Sequence, residues 1–185
     1  VKRFARIDWL DLALRQLSAE GPDALRLEAI CDAAGRTKGS FYHHFKDHDA
    51  FLEDVVAHWT ARQTTELLED YPLDQIGEAE MEEMFHRVLD LDFDLERAIR
   101  RLGNSVPALQ DRIRETDATR LTFSRKAYQA RYGMSEEVAR DMAVLDYAAF
   151  AGLLLVFPDM TKERQIEVYR TFETLLNQAI EGPQK

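Results

Sequence analysis

At 185 residues, 45% hydrophobic and 31% charged, the chain has the make-up of a folded protein: one domain, or a small domain joined to a larger one. No apolar run approaches the roughly 18 residues that span a bilayer, and the single cysteine, Cys31, excludes an internal disulfide framework. The net charge of −10 argues against a uniformly basic nucleic-acid binder, but the charge is unevenly placed. Residues 1–50 hold eight Lys/Arg and eight Asp/Glu, whereas the remaining 135 hold 16 basic and 26 acidic groups. A neutral head with local basic points therefore precedes an acidic body, and such a head can meet phosphate on one face. The opening VKRFARIDWL carries Asp8 and lacks an apolar core ahead of a small-residue cleavage site. No signal peptide is expected there, and the cytoplasm is the expected compartment.

The whole chain reads as helix. Ile7, Leu10, Leu14 and Leu17 form the stripe of a first amphipathic helix, stopped by Gly21-Pro22. Leu27, Ile30, Cys31 and Ala34 repeat the spacing over a shorter segment ended by Gly35. A very short helix is predicted from the N-cap Thr37 to about His44. Asp47 or Asp49 then caps a long helix over 47–70, whose apolar face begins with Leu52, Val55, Val56 and Trp59. Beyond Tyr71-Pro72, helices are predicted near 78–91, 94–103, 106–132, 135–157 and 161–181, with a frayed GPQK tail. No run of four or more residues alternates as a strand would, so the expected fold is all-α. The change in composition divides it into residues 1–48 and 49–185.

The informative stretch is 25–46, LRLEAICDAAGRTKGSFYHHFK. Two short helices about a tight glycine turn have the geometry of a helix-turn-helix, in which the second helix enters the major groove. Ala33 and Ala34 let the helices approach, and Gly35 supplies the backbone freedom of the turn. Gly39 and Ser40 keep the start of the second helix small, so that its backbone can near phosphates or bases. Phe41 and Phe45, four apart, dock that helix on the head, leaving Tyr42, His43 and Lys46 outward as donors. Without the following KGSFYHHF, Ala-Gly-Arg-Thr is as well read as an ordinary helix hairpin. His43 and His44 point about 100° apart on a helix and share a metal ion poorly. Glu82, Glu83 and His86 share a helical face at ligand spacing but lack a further His or Cys, so a solvated acidic face is the better reading. No metal and no cofactor is expected. No nucleophile-elbow, phosphate-loop or dinucleotide pattern occurs, and Ser105, Ser124 and Ser135 lack a triad context, so the chain is not expected to be an enzyme.

The run G-R-T-K-G-S-F-Y-H-H-F-K resembles the signature of the tetracycline-repressor (TetR) family of one-component regulators, over about residues 5–60. The resemblance implies an N-terminal three-helix head that binds DNA and a C-terminal helical domain that binds an effector and dimerises. It implies DNA contacts by Thr37, Lys38, Gly39, Ser40, Tyr42, His43 and Lys46: Thr37, Tyr42 and Lys46 to phosphate, Lys38 and Ser40 to bases or backbone. Four residues depart from the pattern. Arg36 stands where an aliphatic is usual, and Glu28 where some members place a base-contacting cation. Leu25 replaces a Thr cap, moving the expected cap to Asp23, and His48 replaces a Lys.

The last two helices carry Ala148, Ala149, Phe150, Ala151 and Gly152, then Leu153, with Tyr169, Phe172 and Leu176 on a second stripe. From the residues alone these suit an internal core. The resemblance points instead to a two-fold four-helix dimer interface through Ala148, Ala149, Gly152, Leu153, Tyr169, Phe172 and Leu176. It also implies an effector cavity, for which Trp59, Phe85, His86, Leu89, Phe93, Leu102, Phe123, Met142 and Tyr147 are the candidate lining, with Arg97 and Arg101 as further polar anchors. The expected partners are a palindromic duplex operator, a second copy of the chain and a small-molecule effector that releases a repressor. Two alternatives stay open: a helical dimer that has lost DNA binding, and a helical enzyme or metal protein.

Overall fold

The computed structural model describes residues 4–73 and 77–181, and among these the protein is built of helices and turns alone. In the head, α1 (Arg6–Glu20), α2 (Leu27–Ala34) and α3 (Lys38–Tyr42) are followed by α4 (His48–Thr60). A π segment (Ala61–Thr65) joins α4 to a single turn, α5 (Glu66–Glu69). Then come α6 (Glu78–Asp90), α7 (Phe93–Ser105), α8 (Gln110–Tyr132), α9 (Glu136–Val156) and α10 (Lys162–Glu181). These bounds lie within a few residues of those predicted. The differences are two 3-10 turns, Pro22–Leu25 and Pro107–Leu109, and the interruption of the long 47–70 helix. The lysine and arginine at positions 2 and 3 and the GPQK tail lie outside the described residues.

The ends of the elements follow local chemistry. Asp47 Oδ1 accepts the Ala50 N–H at 2.8 Å and starts α4; Asp92 and Ser135 cap α7 and α9 in the same way. The expected cap of α2 at Asp23 does not form. Asp23 sits in the 3-10 turn and pairs with Arg26 at 2.8 Å, and α2 begins at Arg26 with no side-chain cap. Gly35 ends α2 in the left-handed conformation, φ 60° and ψ 39°, where any Cβ is penalised. Gly21 ends α1 at φ 82° and ψ −170°, a region open essentially to glycine alone.

Two compact units result, residues 1–70 with 91–117 and residues 71–90 with 118–185. The first holds a continuous core. Trp9 meets Phe41 edge-on at 5.5 Å, Phe41 meets Phe51 at 5.1 Å, and Phe45 meets Phe51 at 4.9 Å. Leu17, Ile30, Val55, Val56, Trp59, Ala98 and Ile99 extend this cluster and are fully buried. Beside it the Arg100 guanidinium bridges Glu96 on α7 and Asp117 on α8, both within 2.8 Å, so the buried Glu96 carboxylate is not left unpaired. In the second unit α9 and α10 pack as a hairpin. Its turn is closed by the buried Gln165, whose amide donates to the carbonyls of Leu153 (3.0 Å) and Phe157 (2.9 Å) at the end of α9.

A five-residue helix has no stability of its own, so α3 depends on the aromatic cluster. Phe41→Ala should cost about 3–5 kcal/mol and unfold the head at lower urea. Gly35→Ala, whose added Cβ meets nothing within 4 Å, should cost only the backbone penalty of about 1 kcal/mol, and Gly35→Asn less. Denaturant midpoints of the three variants measure both effects.

Candidate nucleic-acid interface

Residues 37–46 present two opposite faces. Thr37 has extended backbone, and its Oγ1 accepts the Ser40 N–H at 3.2 Å, so that α3 starts where the cap predicts. Phe41 and Phe45 point inward and are 0% and 2% exposed. Lys38, Gly39, Tyr42, His43 and Lys46 are exposed, and Ser40 is half-buried behind them. Lys46 reaches furthest into solvent, its Nζ 4.0 Å from Asp47. A Cβ on Gly39 would meet only the Thr37 hydroxyl, at an ordinary 3.7 Å. Packing within the free head therefore does not demand a glycine there.

This face lies within a segment, residues 10–55, that matches the profile of the family described as bacterial regulatory proteins, tetR family. Over residues 10–55 the chain is similar to the N-terminal domain of that family. It is a DNA-binding transcriptional regulator with a helix-turn-helix head and a helical C-terminal region. Among curated proteins no sequence matches the chain. No helix of the described residues is long and apolar enough to cross a membrane.

The departures from the family pattern have definite surroundings in this TetR head. The Arg36 guanidinium lies over the Phe4 ring at 5.4 Å, a cation–π contact that holds it against α1. His48 turns inward, its Nε2–H donating to the Leu25 carbonyl at 2.7 Å, so it braces the start of α4 against the turn before α2. Glu28 on α2 forms an ion pair with Lys38, the first residue of α3. Each partner shifts the other in the expected sense: the hydrogen bond from Lys38 lowers the Glu28 carboxyl, and that to Glu28 raises the Lys38 ammonium.

The candidate effector residues fall into both units and form no single group. Trp59 and Leu102 belong to the core of the first unit, and Phe93 is buried in the same unit. Phe85, His86, Leu89, Phe123, Met142 and Tyr147 lie in the second. There Leu89 is buried and Phe85 stacks on Tyr169 at 5.8 Å. His86 accepts from Arg170 at Nδ1 (3.0 Å) and faces Glu82 from Nε2 (3.1 Å), which commits both of its nitrogens. Arg97 pairs with Asp94 along α7, and Arg101 stands beside Gly21.

Of the candidate dimer residues, Ala148 is exposed, and Ala149, Gly152, Leu153, Phe172 and Leu176 are half-buried. Tyr169 is turned inward, 6% exposed, against Phe85, Phe150 and Phe172. Large exposed apolar side chains cluster on the same two helices. Apart from Ile7 and Tyr42 in the head, those among the described residues are Val138, Val144, Leu145, Leu155, Val156, Phe157 and Leu175.

Sequence reasoning missed a partly buried polar cluster in the second unit. The Tyr169 hydroxyl donates to Asp146 Oδ1, and Tyr128 also hydrogen-bonds to Asp146. Burial raises the Asp146 carboxyl despite these bonds, and raises both phenols. Nearby, burial and the charges of Asp146 and Glu82, only partly offset by Arg131 and Arg170, push Glu173 up to about 8. The only available signal was an aspartate amid the apolar run of α9, which periodicity cannot distinguish from a surface residue.

Because the raised Glu173 keeps its proton in the folded state after the unfolded chain has lost it, stability should fall as pH rises from about 4.5 to about 8. Glu173→Gln should therefore raise the thermal midpoint at pH 9 and change it little near pH 5. Equal shifts at both values would show that the carboxyl does not titrate in this way.

Proposed function

We propose that this TetR-family regulator is a homodimeric repressor that binds a palindromic operator and is released by a small-molecule effector. The observation that carries the DNA assignment is the two-sided recognition segment: Phe41 and Phe45 locked inside, Lys38, Gly39, Tyr42, His43 and Lys46 open to solvent. In the proposed assignment residues 1–48 read DNA, with Thr37, Tyr42 and Lys46 on phosphate, His43 against the backbone, and Lys38 and Ser40 at base edges. Gly39 lets the start of α3 approach without a side chain between backbone and duplex.

Residues 49–185 carry association and effector response. The support for a dimer is the apolar surface that α9 and α10 leave uncovered, centred on Leu145, Leu155, Val156 and Leu175. Gly152 lies among them with no heavy atom within 4 Å of where its Cβ would stand, open to a partner helix. Patches of this kind mark association surfaces, and a two-fold pair of heads suits successive major-groove faces of a palindrome, about 34 Å apart. Ala148, Ala149, Leu153, Phe172 and Leu176 flank the exposed residues on the same helices, with Tyr169 supporting them from within. The effector site is assigned to the second unit, among Phe85, His86, Leu89, Phe123, Met142 and Tyr147. An effector releases the operator only by binding the DNA-free arrangement more tightly than the bound one.

Fluorescence anisotropy on a selected operator and on scrambled duplex tests the DNA assignment. Lys46→Ala should weaken both about equally and flatten the log–log salt dependence by about 0.9 per subunit. Tyr42→Phe should also act equally on both, whereas Ser40→Ala should lose more on the operator. Gly39→Ala should weaken binding while leaving the denaturant midpoint of the free protein in place. A Ser40 variant that loses the same factor on both duplexes removes Ser40 from base readout.

Sedimentation tests the association surface. Leu145→Glu with Val156→Glu should convert a micromolar dimer into a monomer of unchanged helicity, and Gly152→Leu should weaken the dimer without unfolding it. A wild-type monomer at that concentration would remove the four-helix interface from the proposal.

A further inference from the structure

Glu28 is the anomaly of the DNA-facing surface. A carboxylate beside a polyanion is repelled, yet this one stands exposed on the second residue of α2, beside Lys38 at the start of α3. It is not there for stability, since both members of its pair with Lys38 remain largely in solvent, with side chains 71% and 54% exposed. The pair instead sets the Lys38 ammonium beside the Glu28 carboxylate. Lysine carries three donors; Glu28 Oε1 takes one and leaves two, while the carboxylate keeps acceptor capacity of its own. The paired starts of α2 and α3 thus offer donors with an acceptor next to them.

That order of groups has a counterpart in the major groove. A G·C pair presents guanine N7 and O6, two adjacent acceptors, followed by the cytosine N4 amino donor. An A·T pair presents acceptor, donor and acceptor, then the thymine methyl, and so gives the ammonium no pair of neighbouring acceptors and the carboxylate no flanking donor in the same order. We propose that Glu28 and Lys38 read one G·C pair in each half-site as a unit, Lys38 donating to guanine and Glu28 accepting from cytosine N4. This rests on the placement of Lys38 at base edges.

The same arrangement limits binding to unrelated DNA. On a duplex without the matching pair, Lys38 remains neutralised by Glu28, so it releases no counterion, and the carboxylate still repels nearby phosphate. Specificity then comes from two sides, a gain on the right base pair and a penalty on others. Other basic groups of the head are held in the same way, Arg6 by Asp54 and Arg26 by Asp23. Basic groups held in this way contribute little to indiscriminate attraction.

The experiment is selection of bound sites from random duplex by wild-type protein, Glu28→Ala and Lys38→Ala, followed by salt titrations on scrambled DNA. Wild type should select a G·C pair at a fixed position of each half-site. Glu28→Ala should lose that preference by about tenfold or more. It should also bind scrambled DNA more tightly, with a log–log salt slope steeper by about 0.9 per subunit as the freed ammonium meets phosphate. Lys38→Ala should lose the same base preference without the steeper slope. If Glu28→Ala selects the same sites as wild type while Lys38→Ala does not, the joint readout is wrong and Lys38 reads alone. If both variants select the wild-type sites, the placement of Lys38 at base edges fails, and the joint readout with it. Both substituted side chains are exposed, so circular dichroism should show unchanged folding in either variant.

Discussion

The contact of Phe41 and Phe45 with Trp9 and Phe51 is what makes a DNA-reading surface possible in this protein. A single helical turn has too few internal hydrogen bonds to persist, so its orientation is borrowed from the rings beneath it. Trp9 comes from α1 and Phe51 from α4, so the recognition segment is clamped between the helix that opens the head and the helix that leaves it. Any tilt of α4 is transmitted to α3 through close-packed aromatic faces rather than through a flexible loop. The outward groups then need no structural duty, and their chemistry is left to recognition.

Much of this could be read from residue types. The cap at Thr37, the turn at Gly35 and the 41/45 spacing are local features, decided by residues within one or two turns of each other, and local features survive without tertiary information. The cap expected at Asp23 failed because a competing local preference intervened: Pro22 starts a 3-10 turn that carries Asp23 away from the N-terminus of α2. The effector candidates were chosen by size and polarity, properties that core residues share, and Trp59 and Leu102 lie in the core of the first unit. The Asp146 cluster was illegible for the opposite reason. Its members are separated by up to 45 positions between Tyr128 and Glu173, and only the fold brings tyrosines from α8 and α10 to an aspartate on α9.

Charge is handled differently in the two units. In the first, acidic residues are set against basic ones, as in the bridge from Glu96 through Arg100 to Asp117 and the pair of Glu28 with Lys38. In the second, Asp146 is half-buried with phenols as hydrogen-bond donors, an environment that favours retention of its proton. An overall charge of −10 thus conceals a balanced head, which can approach a polyanion, and a body whose acidity is partly withdrawn by burial.

The π segment Ala61–Thr65 also changes how positions along this stretch should be counted. Buried positions on α4 fall at 51, 52, 55, 56 and 59, and an uninterrupted helix would turn residue 63 inward next. The buried residue is Thr64, followed by Leu67 and Tyr71. A five-residue step has replaced one of four, so every side chain after it is out of phase with those before. Relatives that keep a regular helix here should be one residue shorter between Trp59 and Leu67. When sequences are aligned, the gap belongs inside 61–65; placed in the nearest loop instead, it would match the wrong residues along the whole intervening stretch.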